Sequence, residues 1–167
     1  MTHPLVTQLR FARSEFVRGL QDVSAEDAVK RIGQMNCISW IIGHLASQEN
    51  FFWVRMAQGE TLFPDLNNLV GFGKPASMPP VAEMWAAWRK ITETADRYLS
   101  GLTVEDMPRR YDWRSSPIAE SVGTLLMRNI YHYWYHLGEG MSVRQALGHQ
   151  DLPQYVGDMS AALYYPE

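Results

Sequence analysis

Several features that would by themselves define a class of protein are scarce in this sequence. It has one cysteine, Cys37, so an intramolecular disulfide is excluded. The net charge is -3 without a long run of one sign, which argues against nucleic acid and against an anionic membrane surface as partners. No apolar stretch has the length of a signal peptide or a membrane span. We therefore expect a cytoplasmic protein.

Alternating strand patterns, internal repeats and low-complexity tracts are also missing from the sequence. The chain has 167 residues, of which 46% are hydrophobic and 20% charged, as in a globular protein. This length suits one domain with its own core, which we assign to residues 1–167.

Apolar residues recur instead at helical spacing in four segments, which predicts an all-α four-helix bundle with long connecting loops. Residues that favour helix starts and helix stops bound the segments. The expected N-caps are Thr2, Asn36 and Ser121, and the expected stops are Gly59, Gly101 and Gly148. The predicted helices cover about residues 4–20, 37–58, 80–100 and 121–147.

The longest connection, residues 60–80, contains Pro and Gly at several points and is predicted to be a loop. A loop of this length is uncommon without a function, and covering a site is one such function. The sequence does not indicate whether the tail after Gly148 packs on the bundle.

A pair of histidines, His132 and His136, is the first chemical signal. Four residues apart on one helix, the two rings lie on one face, about 6 Å apart along the axis, and can converge on one metal ion. Such pairs also arise by chance, so the pair alone leaves the question open.

A third histidine, His44, lies in the most apolar helix, on the face expected to point to the bundle centre. A lone histidine there is more often a core residue that is hydrogen-bonded to a neighbour. Burying three neutral imidazoles without partners would cost a few kcal/mol, and a shared metal removes that cost. We therefore predict a metal site made of His44, His132 and His136.

Two segments with these histidines, WIIGHLASQENFFW and YHYWYHLGEGMSVRQALGH, resemble the DinB/YfiT-like superfamily of metal-binding bundles. The shared pattern is one histidine on the second helix, an H-x3-H pair followed by Gly138 and Glu139, and an ending at residues 144–148. Many members have glutamine where this chain has Glu139, which leaves the hydrogen bonding around the ligands open.

The resemblance implies an up-up-down-down bundle, often a homodimer, with a divalent metal, most often zinc or nickel. It also implies an activity, because relatives include transferases and isomerases that use low-molecular-weight thiols such as bacillithiol or mycothiol. Other members have no known reaction.

The metal site is expected to be open, because a fourth protein ligand is hard to find. Structural zinc sites are commonly closed by cysteine. Cys37 lies two turns before His44, roughly 10 Å by the helical rise, which is too far for the same ion. We interpret Cys37 as a small core residue.

Four polar neighbours are candidates for supporting roles, although ordinary interhelical hydrogen bonds are the alternative for each. Gln48 and Asn129 can orient an imidazole or bind a metal-bound water. Glu139 can accept from His136 or take up a proton, and Arg128 can pair with Glu139 or hold a substrate carboxylate.

Aromatic and apolar residues allow two further interpretations. Four rings can line a pocket or belong to the core, and we favour the core for most of them: Trp40, Phe51, Phe52 and Tyr133. Five residues on the predicted outer faces of helices two and four suggest a dimer interface, unless the tail or the long loop covers them. They are Ala46, Trp53, Ile130, Trp134 and Met141.

Three functions remain in view. The favoured one is a metal-dependent transferase or hydrolase-like enzyme acting on a small thiol or thiol-linked substrate, which requires an open metal site. A non-catalytic metal-binding or stress-response protein is the alternative, and a metal-free helical interaction module comes third.

Overall fold

A computed structural model describes residues 2–163, and four long helices form its frame. They are α1 (Pro4–Leu20), α3 (Ile38–Glu49), α5 (Val81–Leu99) and α6 (Val122–Ala146), with the short helices α2 (Ala25–Ala28) and α4 (Leu66–Val70) between them. Single 3-10 turns lie at Val104–Asp106 and Met159–Ala162. The predicted all-α fold is confirmed. None of the described helices is long and apolar enough to cross a membrane.

The long helices pack mainly as two pairs, α1 with α6 and α3 with α5, and α3 also contacts α6. Their apolar faces form one buried core, to which Phe16, Ile41, Ile91 and Leu125 contribute fully buried side chains. The contact between α3 and α6 matters most here, since these two helices carry the three histidines.

Helix ends agree with the sequence at some caps and differ at others. Ser121 caps α6 by accepting from the Thr124 amide, and Gly148 beyond its end has a φ of +83°, as expected of a stop. The N-cap of α1 is His3, whose Nδ1 accepts from the Leu5 amide. The prediction that Thr2 caps this helix was therefore wrong. Cys37 takes the cap position of α3 that the sequence assigned to Asn36.

The second predicted helix changes character partway. After α3 the chain continues as a π-helix from Asn50 to Met56, with each turn widened, before the helical run ends near Gln58. Each residue of a π-helix rotates the chain about the helix axis by a smaller angle than a residue of an α-helix does. Side chains beyond Glu49 therefore point in directions that a regular helical projection does not give.

A small hairpin, which the sequence did not predict, precedes α6. Strands β1 (Arg110–Trp113) and β2 (Ser116–Ser121) pair antiparallel, with Trp113 opposite Ser116. The two turn residues between them, Arg114 and Ser115, both have positive φ, of 53° and 64°. Such turns normally carry Asn-Gly or Asp-Gly, and an Arg-Ser pair gives no hairpin signal.

Five residues were predicted to form an outward-facing apolar patch. That prediction was wrong, because other parts of the same chain cover them. Ala46 is fully buried, since α4, α5 and α6 surround α3, and the π-helix turns Trp53 into the core, where it is also fully buried. On α6, Trp134 packs on Phe11 of α1 with ring centroids 6.1 Å apart. Ile130 and Met141 are half-buried against the core. These five residues give no basis for an interface, and the homodimer stays an untested prediction.

The C-terminal segment, which the sequence left open, does pack on the bundle. The Gly157 amide donates to Glu15 at 2.8 Å, and Arg18 donates to the Gln154 carbonyl at 2.9 Å. Both partners belong to α1, so residues up to Gly157 lie along this helix.

Candidate metal centre

The three histidines meet between α3 and α6. The Nε2 atom of His132 lies 3.2 Å from Nε2 of His44 and 3.0 Å from Nε2 of His136. One nitrogen from each ring lies within 4.8 Å of the other two, and within residues 2–163 this group includes no cysteine or carboxylate. Residues that are 88 positions apart in the sequence thus present their ring nitrogens to one point.

Each ring also uses its other nitrogen, and each time the partner is an oxygen. Nδ1 of His44 lies 2.8 Å from the carbonyl oxygen of Val70. Nδ1 of His132 lies 2.7 Å from Oε1 of Gln48, and Nδ1 of His136 lies 2.7 Å from Oε2 of Glu139. A carbonyl or a carboxylate oxygen can only accept, so His44 and His136 must carry their protons on Nδ1.

The proton on His132 follows from a chain of amides. The indole N–H of Trp53 can only donate, and it donates to Oδ1 of Asn129. Asn129 must then donate through Nδ2 to Oε1 of Gln48, at 2.6 Å, which leaves this oxygen to accept from His132. A buried tryptophan therefore fixes the tautomer of a histidine on the other helix. The π-helix makes this possible, because it turns Trp53 toward the α6 face that Gln48 also reaches.

In the neutral rings, these hydrogen bonds leave the Nε2 atoms unprotonated and facing one another. Lone pairs that face one another at such short distances repel unless a cation lies between them, and a neutral imidazole binds metals through such a lone pair. Nitrogen ligands placed about 2.0–2.1 Å from one ion lie about 3–3.4 Å apart. The Nε2 separations of His132 from His136 and from His44, 3.0 and 3.2 Å, fall in that interval. The donor set therefore fits a single divalent ion.

Burial favours the neutral form of two of these rings. It lowers the pKa of His132 to about 3, assisted by the neighbouring His136 and His44. Burial is also the main cause that lowers the pKa of His44. Neutral imidazoles at neutral pH are the form that binds a metal ion.

Glu139 supports His136 as an anion. Burial alone would raise its pKa, but hydrogen bonds from His136 and Asn36 outweigh burial and lower the pKa below its usual value. The Asn36 amide donates to Oε1 at 3.0 Å while His136 occupies Oε2. With both oxygens engaged, Glu139 serves to orient His136 and to raise its basicity.

Aromatic rings hold the ligands from the sides. Trp40 stacks on His44, with centroids 4.5 Å apart and ring planes 12° apart, and Tyr135 meets His136 edge-on at 4.9 Å. Gly43 allows α3 to approach α4 and α5, because a Cβ there would lie 2.5 Å from Sδ of Met84. The ring of His44 is thus fixed by packing as well as by hydrogen bonding.

A cavity of about 620 Å³ opens on the histidine cluster. Residues of α3, α6, β2 and the 60–80 segment line it: His44, Gln48, Phe72, Glu120, Thr124, Met127, Arg128, Tyr131, His132 and Tyr135. The long connection reaches the site twice, since Val70 binds His44 and Phe72 forms part of the cavity wall. Two of the three histidines are therefore accessible from a space large enough for a small molecule.

The remaining predicted residues lie elsewhere or have other partners. Arg128 lines the cavity but pairs with Glu120 instead of Glu139. Cys37 is buried, its thiol lies 3.7 Å from the Ser77 carbonyl, and burial raises its pKa, as expected of a core residue. The four rings proposed for a pocket or the core do not line the cavity. Tyr133 is fully buried, Trp40 stacks on His44, and Phe51 packs on Phe52.

Several residues of the site were missed in the sequence. Tyr131 and Tyr135 directly precede the two histidines of α6, so the sequence could have predicted that they lie beside the site. The Val70 carbonyl and Phe72 lie on an irregular connection, where no periodic pattern points to a ring or a carbonyl. Glu120 belongs to the unpredicted hairpin.

The architecture and the site define a helical bundle with a three-histidine cluster on two neighbouring helices. A family model described as the DinB superfamily matches residues 8–139, a span that includes all three histidines and Glu139. The chain belongs to the DinB superfamily, as the sequence resemblance indicated. In a comparison with curated proteins, no protein matches this chain.

Proposed function

We propose that this protein binds one divalent metal ion, zinc or nickel, through His44, His132 and His136. We further propose that it uses the ion as a metal-dependent transferase or hydrolase-like enzyme on a small thiol or thiol-linked substrate. One observation carries the proposal: three Nε2 lone pairs converge beside a cavity that His44 and His132 line. Membership of a metal-binding superfamily supports the metal, and the resemblance to thiol-dependent relatives supports the reaction class.

The protein's own groups would hold the ligand rings in place. Three acceptors of different chemistry, a backbone carbonyl, a side-chain amide and a carboxylate, fix the three tautomers before any ion arrives. Such preorganisation lowers the cost of assembling the site. Since only Glu139 is anionic among these acceptors, the ion would keep most of its positive charge.

An ion held by three neutral histidines, with ligand positions left open, supplies Lewis acidity that lowers the pKa of a bound thiol or water. The cavity wall contributes Arg128 and Glu120 as its charged groups. Arg128 binds Glu120 through two of its nitrogens, which holds both side chains at the cavity mouth.

A thiol-transfer assay tests the catalytic part of the proposal. The protein is stripped with a chelator, reloaded with zinc or nickel, and assayed with several low-molecular-weight thiols and an electrophilic acceptor. We expect thiol consumption that requires the metal, disappears in His44→Ala and persists in His149→Ala. His149 lies outside the cluster, 3.4 Å from Asp27, and serves as the matched control.

The non-catalytic alternative predicts a different result from the same samples. A metal-loaded protein that consumes no thiol and hydrolyses no thioester, yet unfolds when chelated, would contradict the enzyme and favour a structural or sensing metal. Consumption unaffected by His44→Ala would contradict the role of the metal in the reaction.

A further inference from the structure

Exposed apolar side chains surround the mouth of the cavity beside the histidines. Phe72 is 94% exposed, Tyr135 70%, Tyr131 66% and Met127 38%. Soluble proteins seldom expose several large apolar side chains around one concave site unless it binds something. Within residues 2–163, neither the Tyr131 nor the Tyr135 hydroxyl has a hydrogen-bond partner in the protein. We call these four residues the aromatic rim.

Helix geometry places the rim against the metal ligands. Met127, Tyr131 and Tyr135 follow one another at four-residue steps, so they form one stripe along α6. Tyr131 and Tyr135 come directly before His132 and His136 in sequence, and the Tyr135 ring touches the His136 ring. Phe72 follows Val70, whose carbonyl binds His44. The rim therefore flanks the cluster on both the α6 side and the loop side.

The charges on the cavity wall largely cancel. Arg128 is bound to Glu120 through Nε, at 2.9 and 3.0 Å from its two oxygens, as well as through Nη2. A ligand that depends on a strong negative charge would have to compete with this carboxylate. Rings with accessible faces, in contrast, are free to stack on a planar group.

We propose that the substrate carries a planar aromatic or conjugated group that packs against Phe72, Tyr131 and Tyr135. In this orientation, the substrate atom that binds the metal faces the histidine cluster. This inference rests on the proposed metal site and names the substrate class for it. The cavity volume of about 620 Å³ favours a small molecule, since ligand sites of this kind measure about 300–1,000 Å³.

Two hydroxamates that differ in one substituent separate the rim from the metal. Acetohydroxamate and benzohydroxamate chelate a metal through the same two oxygens, but only the second carries a planar ring. Their dissociation constants are measured by calorimetry on zinc-loaded and nickel-loaded protein. We expect benzohydroxamate to bind at least about tenfold more tightly, as stacking on exposed rings would give.

Variants assign that preference to the rim. In Phe72→Ala/Tyr131→Ala the ratio of the two constants should fall to between one and about three, while acetohydroxamate affinity stays within twofold of wild type. Both side chains are mostly exposed, so their removal should leave folding intact. Phe63→Ala removes an aromatic ring that is 41% exposed and lines a different cavity, and it should keep the wild-type ratio.

The outcomes distinguish this inference from the proposed function. Equal affinities for both probes on wild-type protein would overturn the aromatic site while the open metal site stands. Failure of both probes to bind metal-loaded protein would contradict the proposed open site, and the rim proposal with it. A doubled mass in light scattering that returns to monomer in Phe72→Ala/Tyr131→Ala would show that a second copy covers the rim, which also overturns the proposal.

Discussion

Two clusters of buried polar groups lie side by side between the helices. They differ in whether the hydrogen bonds within the protein satisfy every polar atom. One is the histidine cluster. The other, which we call the arginine cluster, joins Arg13, Glu49, Tyr133 and Trp88 from four different helices. Glu49 follows Gln48 and Tyr133 follows His132, so the two helices that carry the histidines, α3 and α6, also contribute to the arginine cluster.

The arginine cluster is closed. Arg13 donates to both Glu49 oxygens and, at 2.8 Å, to Asp96. Tyr133 donates to Glu49 at 2.6 Å and accepts from Trp88 at 2.8 Å. Burial alone would lower the pKa of Arg13, but the charge of Glu49 raises it above the usual value. Each donor meets an acceptor, and the positive and negative charges balance.

The Nδ1 atoms of the histidine cluster are hydrogen-bonded as completely as the arginine cluster is, but its Nε2 atoms are not. All three Nδ1 atoms donate to oxygens, while three Nε2 lone pairs face one another. The comparison teaches that a polar network whose donors and acceptors all pair holds the fold, whereas lone pairs that converge on one point provide a site for a cation. Four predictions use this difference.

Arg13→Met should destabilise the protein most, because it leaves the fully buried Glu49 carboxylate without its main partner. Loss of one member of a buried ion pair costs about 3–5 kcal/mol of unfolding free energy. Urea titration of the metal-free protein measures this change. The double variant Arg13→Met/Glu49→Met should recover most of the loss, since an apolar pair leaves no buried charge. A double variant no more stable than Arg13→Met alone would contradict the closed-cluster account.

His132→Ala should act through metal binding instead. Zinc at a hundred times its dissociation constant stabilises a binding protein by about 2.7 kcal/mol, which corresponds to a rise in Tm of roughly 5–10 °C for a chain of this size. We expect calorimetric scans to show this rise in wild-type protein and in His149→Ala, and none in His132→Ala. An equal rise in all three proteins would mean that the ion binds elsewhere.

Gln48→Ala should weaken metal binding without abolishing it, because His132 loses the acceptor that fixes its tautomer. Removing such a partner of a ligand commonly lowers metal affinity by about 10–100-fold. Competition with a chromophoric chelator gives the dissociation constant. Gln58→Ala, which removes a half-buried glutamine of the same helical run that bonds to the Trp53 and Thr94 carbonyls, is the control. Equal affinity in Gln48→Ala and Gln58→Ala would count against the amide chain.

The metal-free protein should lose stability as the pH falls below the ordinary histidine range. The pKa of His132 is lowered in the fold to about 3, and that of His44 is also lowered, from an unfolded value of 6.5. Between these values the unfolded chain binds protons that the folded chain does not. Stability is therefore unaffected above about pH 7 and falls below 6.5, by at most about 1.4 kcal/mol per pH unit for each proton. The double variant His44→Phe/His132→Phe, measured by urea titration from pH 4.5 to 8, should show a shallower decline. An unchanged pH profile would contradict the buried neutral state.

Periodicity predicted the helices and the three histidines, because both depend on spacings that a regular helix preserves. It did not predict the direction of Trp53, since a π-helix interrupts the regular projection between Asn50 and Met56. The hairpin was not predicted, because its turn residues, Arg114 and Ser115, adopt positive φ without the usual glycine. Acceptors such as the Val70 carbonyl belong to the backbone, and no side-chain pattern indicates where a backbone oxygen points.

The polar neighbours show a similar division. Gln48 and Glu139 lie one helical turn or less from a histidine, so local spacing brought them into the prediction and each is bonded to a ligand ring. Arg128 lines the cavity, but its partner, Glu120, comes from the hairpin. Local spacing thus indicates which side chains share a face, and tertiary contacts decide which of them pair.

Metal stoichiometry tests the central claim most directly. Purified protein is stripped, incubated with zinc or nickel, freed of unbound ion by gel filtration and subjected to elemental analysis. The account predicts about one ion per chain in wild-type protein and in His149→Ala, and close to none in His132→Ala or His44→Ala. Wild-type protein that retains less than one ion per several chains, or histidine variants that retain as much as wild type, would contradict it.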